Sequence, residues 1–248
     1  MSVSFSKALH RLQTRRSVRA FGVVLWLLLA FIAAQLGVVL MLKMLALVGV
    51  GIVLTNPVLF TLNAVVYLLT FLVVAGVPVW LYGQKWPSRE LFGLQRLLSW
   101  SDIGLALLGA IPYIVLALLF TQIATLIPGF DAAQKQDIGF SATNQGSLLL
   151  AFVALVIVAP LAEEILFRGY LFATLRTQVG AIASVILTSF TFALLHMQLN
   201  VGLDVFALSL VLCTLRIVTG SIWAGVLLHM IKNGLAFYVL FVAPMMLH

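Results

Sequence analysis

Residues 148–176 read LLLAFVALVIVAPLAEEILFRGYLFATLR, an apolar run with two adjacent acids in its middle. A helix that crosses a bilayer needs about 20 mostly apolar residues, and residues 151–162 contain no polar side chain. Glu163, Glu164 and Arg168 follow directly. A charged group costs about 2.5–3.5 kcal/mol or more at the centre of such a helix, and its default interpretation is functional. The stretch therefore predicts a membrane helix that carries a site.

The rest of the chain also has the composition of an integral membrane protein. Of its 248 residues, 63% are hydrophobic and only 8% are charged, whereas a soluble domain carries roughly 45–50% apolar and about 25% charged residues. This excludes a soluble enzyme and a nucleic-acid-binding protein. We therefore expect membrane lipid as a partner, and no nucleic acid.

Apolar stretches of spanning length recur along the chain and predict an all-α fold, a polytopic transmembrane helix bundle. The segment 44–54 is also apolar, but Thr55-Asn56-Pro57 follows it, so it is either a re-entrant piece or an eighth span. The seven predicted spans are 20–42, 59–82, 103–127, 148–176, 181–197, 205–219 and 222–243.

Positive charge predicts the orientation, because Lys and Arg favour the cytoplasmic side of a membrane. With seven spans, Lys43 and Lys135 fall on one side. The N-terminus is therefore predicted to be cytoplasmic, in the cell (inner) membrane of a prokaryote, with a site that opens toward the cytoplasm. The basic residues on the predicted cytoplasmic side are Lys7, Arg11, Arg15, Arg16, Arg19, Lys85, Arg89, Arg96, Arg176 and Arg216.

Three regions follow from these patterns. Residues 1–19 form a basic cytoplasmic segment, residues 20–147 form N-terminal transmembrane helices, and residues 148–244 form the catalytic core. Within the second region, leucines recur at helical spacing in 87–100 between basic residues and tryptophans. That pattern predicts a helix that lies in the membrane interface.

The acidic pair divides into two roles by helical geometry. Arg168 is four residues after Glu164, so the two share one helix face and are expected to pair. Glu163 points about 100° away from Glu164. One carboxylate is thus neutralised, while the other is free to face a cavity.

Two histidines in apolar helices complete a polar constellation. His196 has Phe192 at i−4, and His229 has Asn233 at i+4. With a rise of about 1.5 Å per residue, Glu163 lies ~20 Å and His196 ~24 Å above one side of the membrane. His229 and Asn233 lie ~12 Å and ~18 Å above the same side. The heights predict one shared site.

These side chains suit the hydrolysis of an amide inside the membrane. Glu163 in an apolar pocket is a competent base for activating water, and His196 can orient that water or accept its proton. His229 and Asn233 can donate to a developing oxyanion. Zinc is the alternative, with Glu163, His196 and His229 as ligands and water as the fourth. Because the local HExxH spacing is absent, a metal-free reaction without a cofactor is favoured.

The three motifs resemble those of a known family. Glu163-Glu164-Ile-Leu-Phe-Arg168, Phe192-Ala-Leu-Leu-His196 and His229-Met-Ile-Lys-Asn233 are similar to the EExxxR, FxxxH and HxxxN/D motifs of the CPBP family. These intramembrane endopeptidases are also called CAAX-protease and bacteriocin-processing, or Abi, proteins. The resemblance implies Glu163 as the water-activating residue, His196, His229 and Asn233 as its partners, and Glu164 and Arg168 as supporting residues, together with Phe192 of the second motif. It also implies a membrane-associated or lipidated peptide or protein substrate as a partner, and it leaves the identity of that substrate open, prenylated CaaX proteins included.

Two functions from other classes remain as alternatives. A proton-coupled transporter also uses buried Glu and His, but it predicts inverted repeats and broken helices, which this sequence does not display. A non-catalytic membrane scaffold or immunity protein would keep the same constellation for stability. Substitution of Glu163 by glutamine separates an enzyme from a scaffold.

Overall fold

The computed structural model describes the backbone of residues 2–134 and 144–246, with burial assigned for residues 15–134 and 144–244. Within these residues all regular elements are helical, which confirms the predicted all-α polytopic bundle. Among the described residues, six helices are long and apolar enough to cross a membrane, and Ala181–Leu194 is shorter. We label the helices α1 (Ser2–Leu47), α2 (Asn56–Tyr82), α3 (Trp100–Ala124), α4 (Gln145–Val179), α5 (Ala181–Leu194), α6 (Leu199–Thr219) and α7 (Trp223–Val242).

The eighth span that 44–54 allowed is not formed. Helix α1 continues to Leu47, and residues 48–55 have no helix before α2 begins at Asn56. Gly49 has a φ of 83°, in the left-handed region, which ends the preceding helix. The segment is therefore a connection between α1 and α2.

The connections lie at two ends of the bundle. The basic end holds residues 83–99, Gly180 and residues 220–222, and the Gln95 side chain donates to the Gly220 carbonyl there at 2.9 Å. The opposite end holds residues 48–55, 125–134 and 195–198, where the Gln198 side chain donates to the Gln134 carbonyl at 3.1 Å. Lys135, used above for orientation, lies outside the described residues.

The prediction of an interfacial helix near 87–100 is wrong. Residues 83–99 form turns and irregular structure. Carbonyls of this segment accept hydrogen bonds from the end of α6, the α6–α7 turn and the start of α7, and Gly93 has a left-handed φ of 71°. Arg216 donates to Glu90 at 3.1 Å, Ser221 to Gly93 at 2.9 Å and Trp223 to Arg96 at 2.8 Å.

Helix α4 is continuous but contains two wider, π-helical segments, Val153–Val158 and Ile165–Leu171. They flank the two glutamates, and such segments are frequent at functional sites. Pro160 has no backbone N–H, and the Ala159 N–H bonds to the Ala154 carbonyl in the wider register. In that register the Leu155 carbonyl would face Pro160 and has no helical donor.

A buried core at the basic half of the bundle fixes α4 against its neighbours. Leu166, Leu171 and Leu175 of α4 pack with Leu27 of α1 and Phe192 of α5 in one cluster. Each is at most 2% exposed, so these side chains pack against protein, and van der Waals packing of this kind holds membrane helices together. This cluster holds the helix that carries both glutamates.

Gly93→Ala should destabilise the protein more than Gly83→Ala does. Both glycines have a positive φ, which costs a residue with a Cβ about 1–2 kcal/mol. A Cβ at Gly93 would also lie 2.8 Å from the Arg216 guanidinium carbon, whereas nothing lies within 4 Å at Gly83. Thermal unfolding in detergent measures the difference. Equal destabilisation by the two variants would contradict the packing of this loop on Arg216.

Candidate active site

Glu163 lies on the wall of a cavity, and a hydrogen bond from another helix fixes its side chain. Its side chain is 16% exposed, and the hydroxyl of Tyr67 on α2 donates to its Oε1 at 2.6 Å. Its other oxygen, Oε2, lies 3.6 Å from Nε2 of His229. The second carboxylate, on Glu164, is completely buried. The pair therefore divides as the helical geometry predicts.

Glu164 accepts hydrogen bonds from two helices. Arg168 Nη1 donates to its Oε1 at 2.8 Å, and His229 Nδ1 lies 3.1 Å from the same oxygen. An ionised carboxylate only accepts, so Nδ1 of His229 carries the hydrogen. Gly225 on α7 lets that helix approach, because a Cβ there would lie 3.0 Å from Glu164 Oε2. Glu164 thus supports Arg168 and also orients the His229 ring.

His229 connects the two carboxylates. With Nδ1 donating to Glu164, its Nε2 is the ring atom near Glu163. A neutral ring presents a lone pair at Nε2, and an imidazolium presents an N–H. At 3.6 Å the contact is longer than a direct hydrogen bond. The geometry suits a bridging water or an imidazolium that tightens during reaction.

His196 follows α5 and is fixed by the last turn of that helix. Its Nδ1 lies 2.9 Å from the Phe192 carbonyl, which only accepts, so Nδ1 donates. Nε2 is then the atom available to the cavity that His196 lines. The Phe192 ring packs edge-on against both histidines, with centroids 5.0 Å from His196 and 5.8 Å from His229, and Arg168 stacks over its face at 4.7 Å.

Asn233 reaches α4. Its Nδ2 donates to the Leu155 carbonyl at 2.9 Å, the carbonyl that Pro160 leaves without a helical donor. One amide hydrogen is therefore used for structure, and the second remains for another acceptor. Asn233 also lines the cavity with Glu163, His196 and His229, so these four predicted site residues share one cavity wall.

The cavity has a volume of about 200 Å³ and extends from the site toward one end of the bundle. From the level of Glu163 its walls run toward the opposite end of the bundle, along Phe60 and Asn63 of α2, Val201 of α6 and Phe241 of α7. The basic half below the site is filled by the packed core of α4 and α5. The prediction that the site opens toward the basic end is therefore wrong.

Sequence reasoning missed two groups on this wall. Tyr67 follows Asn63 by four residues, a polar spacing in α2 that signals a shared face but does not identify its partner. Lys232, beside Asn233, forms an ion pair with Asp204 at 2.9 Å, and Asp204 also accepts from Tyr113 at 2.7 Å. The positive charge next to the site is thereby neutralised.

The zinc alternative requires Glu163, His196 and His229 to come together as ligands of one metal ion. Among residues 15–134 and 144–244, no group of three or more His, Cys, Asp and Glu side chains has the arrangement of a metal site. Nδ1 of both histidines donates to a protein acceptor, which leaves Nε2 as the ring atom that a metal would bind. The zinc alternative stays a prediction, which chelation separates from the metal-free reaction.

Comparison with known proteins supports the motif resemblance. Residues 145–235 match the family model described as Rce1-like, type II CAAX prenyl endopeptidase. This range includes all three motifs and confirms the resemblance to the CAAX-protease, or CPBP, family. Searches of curated proteins and of solved structures gave no match.

Arg168→Met should destabilise the protein strongly, by about 3–5 kcal/mol, because it leaves Glu164 buried without its main cation. The double variant Glu164→Gln/Arg168→Met should recover part of this loss, since the uncompensated charge is gone. Unfolding in detergent measures both. Arg176→Met is the matched control on the same helix, since Arg176 is exposed. No recovery in the double variant would contradict the pairing.

Proposed function

Residues 145–235 match the Rce1-like CAAX prenyl endopeptidase family, and on that premise we propose that this protein is an intramembrane endopeptidase that uses Glu163 to activate water. It hydrolyses a peptide bond of a membrane-associated substrate. The proposal rests on one observation, the different surroundings of the two adjacent glutamates. Glu164 is sealed by Arg168 and His229, whereas Glu163 faces a cavity with His196, His229 and Asn233.

The reaction needs one base and a polarised carbonyl. Glu163 Oε2 takes a proton from water while the water oxygen bonds to the carbonyl carbon of the peptide. His196 Nε2 positions the water, since its Nδ1 is fixed by the Phe192 carbonyl. The tetrahedral oxyanion accepts a hydrogen bond from the second amide hydrogen of Asn233, and it accepts one from Nε2–H of His229 when that ring is the imidazolium. The proton then passes to the leaving nitrogen, the C–N bond breaks, and a carboxylic acid and an amine result.

We propose that the reaction is metal-free. The described donor set offers no metal-binding arrangement, and the steps above use only side chains of this chain. The zinc-dependent version of the same hydrolase would lose its activity when a strong chelator removes the metal. A non-catalytic scaffold or immunity protein would keep its role when Glu163 is replaced by glutamine.

The membrane placement belongs to the same proposal. The N-terminus is cytoplasmic, because the basic residues named above collect at one end of the bundle and follow the positive-inside rule, and the membrane is the cell (inner) membrane of a prokaryote. The matched family implies a membrane-associated, lipidated substrate. A prenylated CaaX-type peptide is therefore the first substrate to assay.

Glu163→Gln should lower kcat by about 10²–10⁴-fold, the usual contribution of a positioned general base. Cleavage of a fluorescence-quenched prenylated peptide in proteoliposomes measures it. Glu90→Gln is the matched control, because Glu90 lies exposed at the basic end. Full cleavage by Glu163→Gln would overturn the glutamate mechanism. Activity that is lost with a strong zinc chelator and restored by zinc would instead support the zinc enzyme.

Tyr67→Phe should lower kcat by about 10–100-fold and leave KM within about twofold. A hydrogen bond to a charged group is worth about 1.5–3 kcal/mol, and each 1.36 kcal/mol is tenfold in rate. Tyr67 acts through Glu163, so it positions the base and leaves substrate binding alone. Tyr113→Phe is the matched control, since it removes a tyrosine–carboxylate bond away from Glu163. Equal effects of both variants on kcat would contradict this role.

A further inference from the structure

The direction of the cavity bears on which side of the membrane supplies the substrate. Each helix that lines the cavity does so only from the level of the site toward the opposite end. On α2 the lining runs from Tyr67 to Phe60, near the first residue Asn56, and on α7 it runs from His229 to Phe241, near the last residue Val242. The passage to Glu163 therefore starts at the opposite end.

Toward the basic end the described side chains below the site are packed against one another. Glu164 and Arg168 are fully buried directly below Glu163, and Leu171 and Leu175 continue the core. A second pocket lies on this side, between Tyr67 and Phe92, but its lining is almost entirely apolar. The hydrogen bond from Tyr67 to Glu163 separates that apolar pocket from the catalytic carboxylate.

The distribution of Lys and Arg indicates which end of the bundle faces the cytoplasm. The connection 83–99 contains Lys85, Arg89 and Arg96, and the membrane-spanning part of α1 begins on the same side, at Arg15 and Arg16. The sequence between α3 and α4 contains Lys135 but also Asp131 and Asp137. Cytoplasmic loops carry the excess of Lys and Arg, so the cavity mouth lies on the extracytoplasmic side.

We infer that the substrate is a membrane-anchored polypeptide whose scissile bond is presented from the extracytoplasmic side of the bilayer. This rests on the proposed protease function and specifies its substrate class. A lipidated tail presented on the cytoplasmic surface would have to reach Glu163 through the packed core. A polypeptide anchored in the outer leaflet, or an exported one still in the membrane, meets the open mouth directly.

The depth of the site adds a constraint on that substrate. Tyr67 is about three turns from Asn56, or ~16 Å at about 1.5 Å per residue, near the middle of a hydrocarbon core of about 30 Å. An extended chain covers about 3.3 Å per residue. The scissile bond therefore lies about five residues along an unwound segment from the point where the substrate enters. Phe60, Phe237 and Phe241 on the walls favour apolar side chains in that segment.

Thiol labelling tests the access side without any need for turnover. Single cysteines are placed in a Cys213→Ala chain at Asn63 in the cavity wall, at Gln84 on the basic end and at Ala133 on the opposite end. Asn63, Gln84 and Ala133 are all exposed. A membrane-impermeant thiol reagent is added to intact spheroplasts of a bacterial expression host, and then to permeabilised ones. Asn63→Cys and Ala133→Cys should react in intact spheroplasts, and Gln84→Cys only after permeabilisation.

Three results would overturn the inference. Asn63→Cys reacts together with Gln84→Cys if the cavity opens at the basic end. Gln84→Cys reacts in intact spheroplasts while Ala133→Cys does not if the protein is inverted. Asn63→Cys fails to react after permeabilisation if water does not enter the cavity. Because Glu163→Gln should leave the labelling pattern unchanged, a failure of the protease proposal is recognised separately by the cleavage assay.

Discussion

The buried ion pair between Glu164 and Arg168 is the constraint on which the rest of the site depends. Two charges removed from water cost several kcal/mol each unless they are closely paired and hydrogen-bonded. The i,i+4 spacing supplies the pair at 2.8 Å, and His229 supplies a second donor from α7. α7 must therefore approach closely at Gly225, and the His229 ring is held in the one orientation that turns Nε2 toward Glu163.

Pro160 imposes the second constraint, and it links structure to chemistry at Asn233. The wider helical register around Pro160 leaves the Leu155 carbonyl without a helical donor, and Asn233 donates to it at 2.9 Å. The same amide has a second hydrogen on the cavity side. Interhelical bonds of this kind hold membrane bundles together, so an Asn233 substitution changes the packing of α4 on α7 as well as the oxyanion donors. Glu163, whose bond to Tyr67 is its only described direct hydrogen bond, is a cleaner probe of the reaction.

Contacts within one helix could be predicted from the sequence, and so could the common level of the four site residues, but the hydrogen-bond partners between distant helices could not. Helical spacing predicts the pairing of Glu164 with Arg168 and the packing of Phe192 under His196. The bond from Tyr67 to Glu163 joins residues far apart in the chain, and a tyrosine in a membrane helix has many ordinary uses. The segment 83–99 has the periodicity of an interfacial helix, but bonds from Arg216, Ser221 and Trp223 take the carbonyls that such a helix needs. In this segment, tertiary hydrogen bonds override the helical periodicity of the sequence.

The division between the matched region and the rest of the chain explains how one catalytic core can serve different sides of a membrane. Residues 145–235 hold both glutamates, both histidines and Asn233, the side chains that act in the proposed reaction. Most of the basic residues that set orientation lie outside this region, in the N-terminal segment and in 83–99, and Tyr67 and Asn63 of α2 complete the cavity wall. The side of access is thus determined mainly by the N-terminal half. A change in its charges would invert the protein without altering a catalytic residue, so the catalytic motifs alone do not specify which face of the membrane a relative serves.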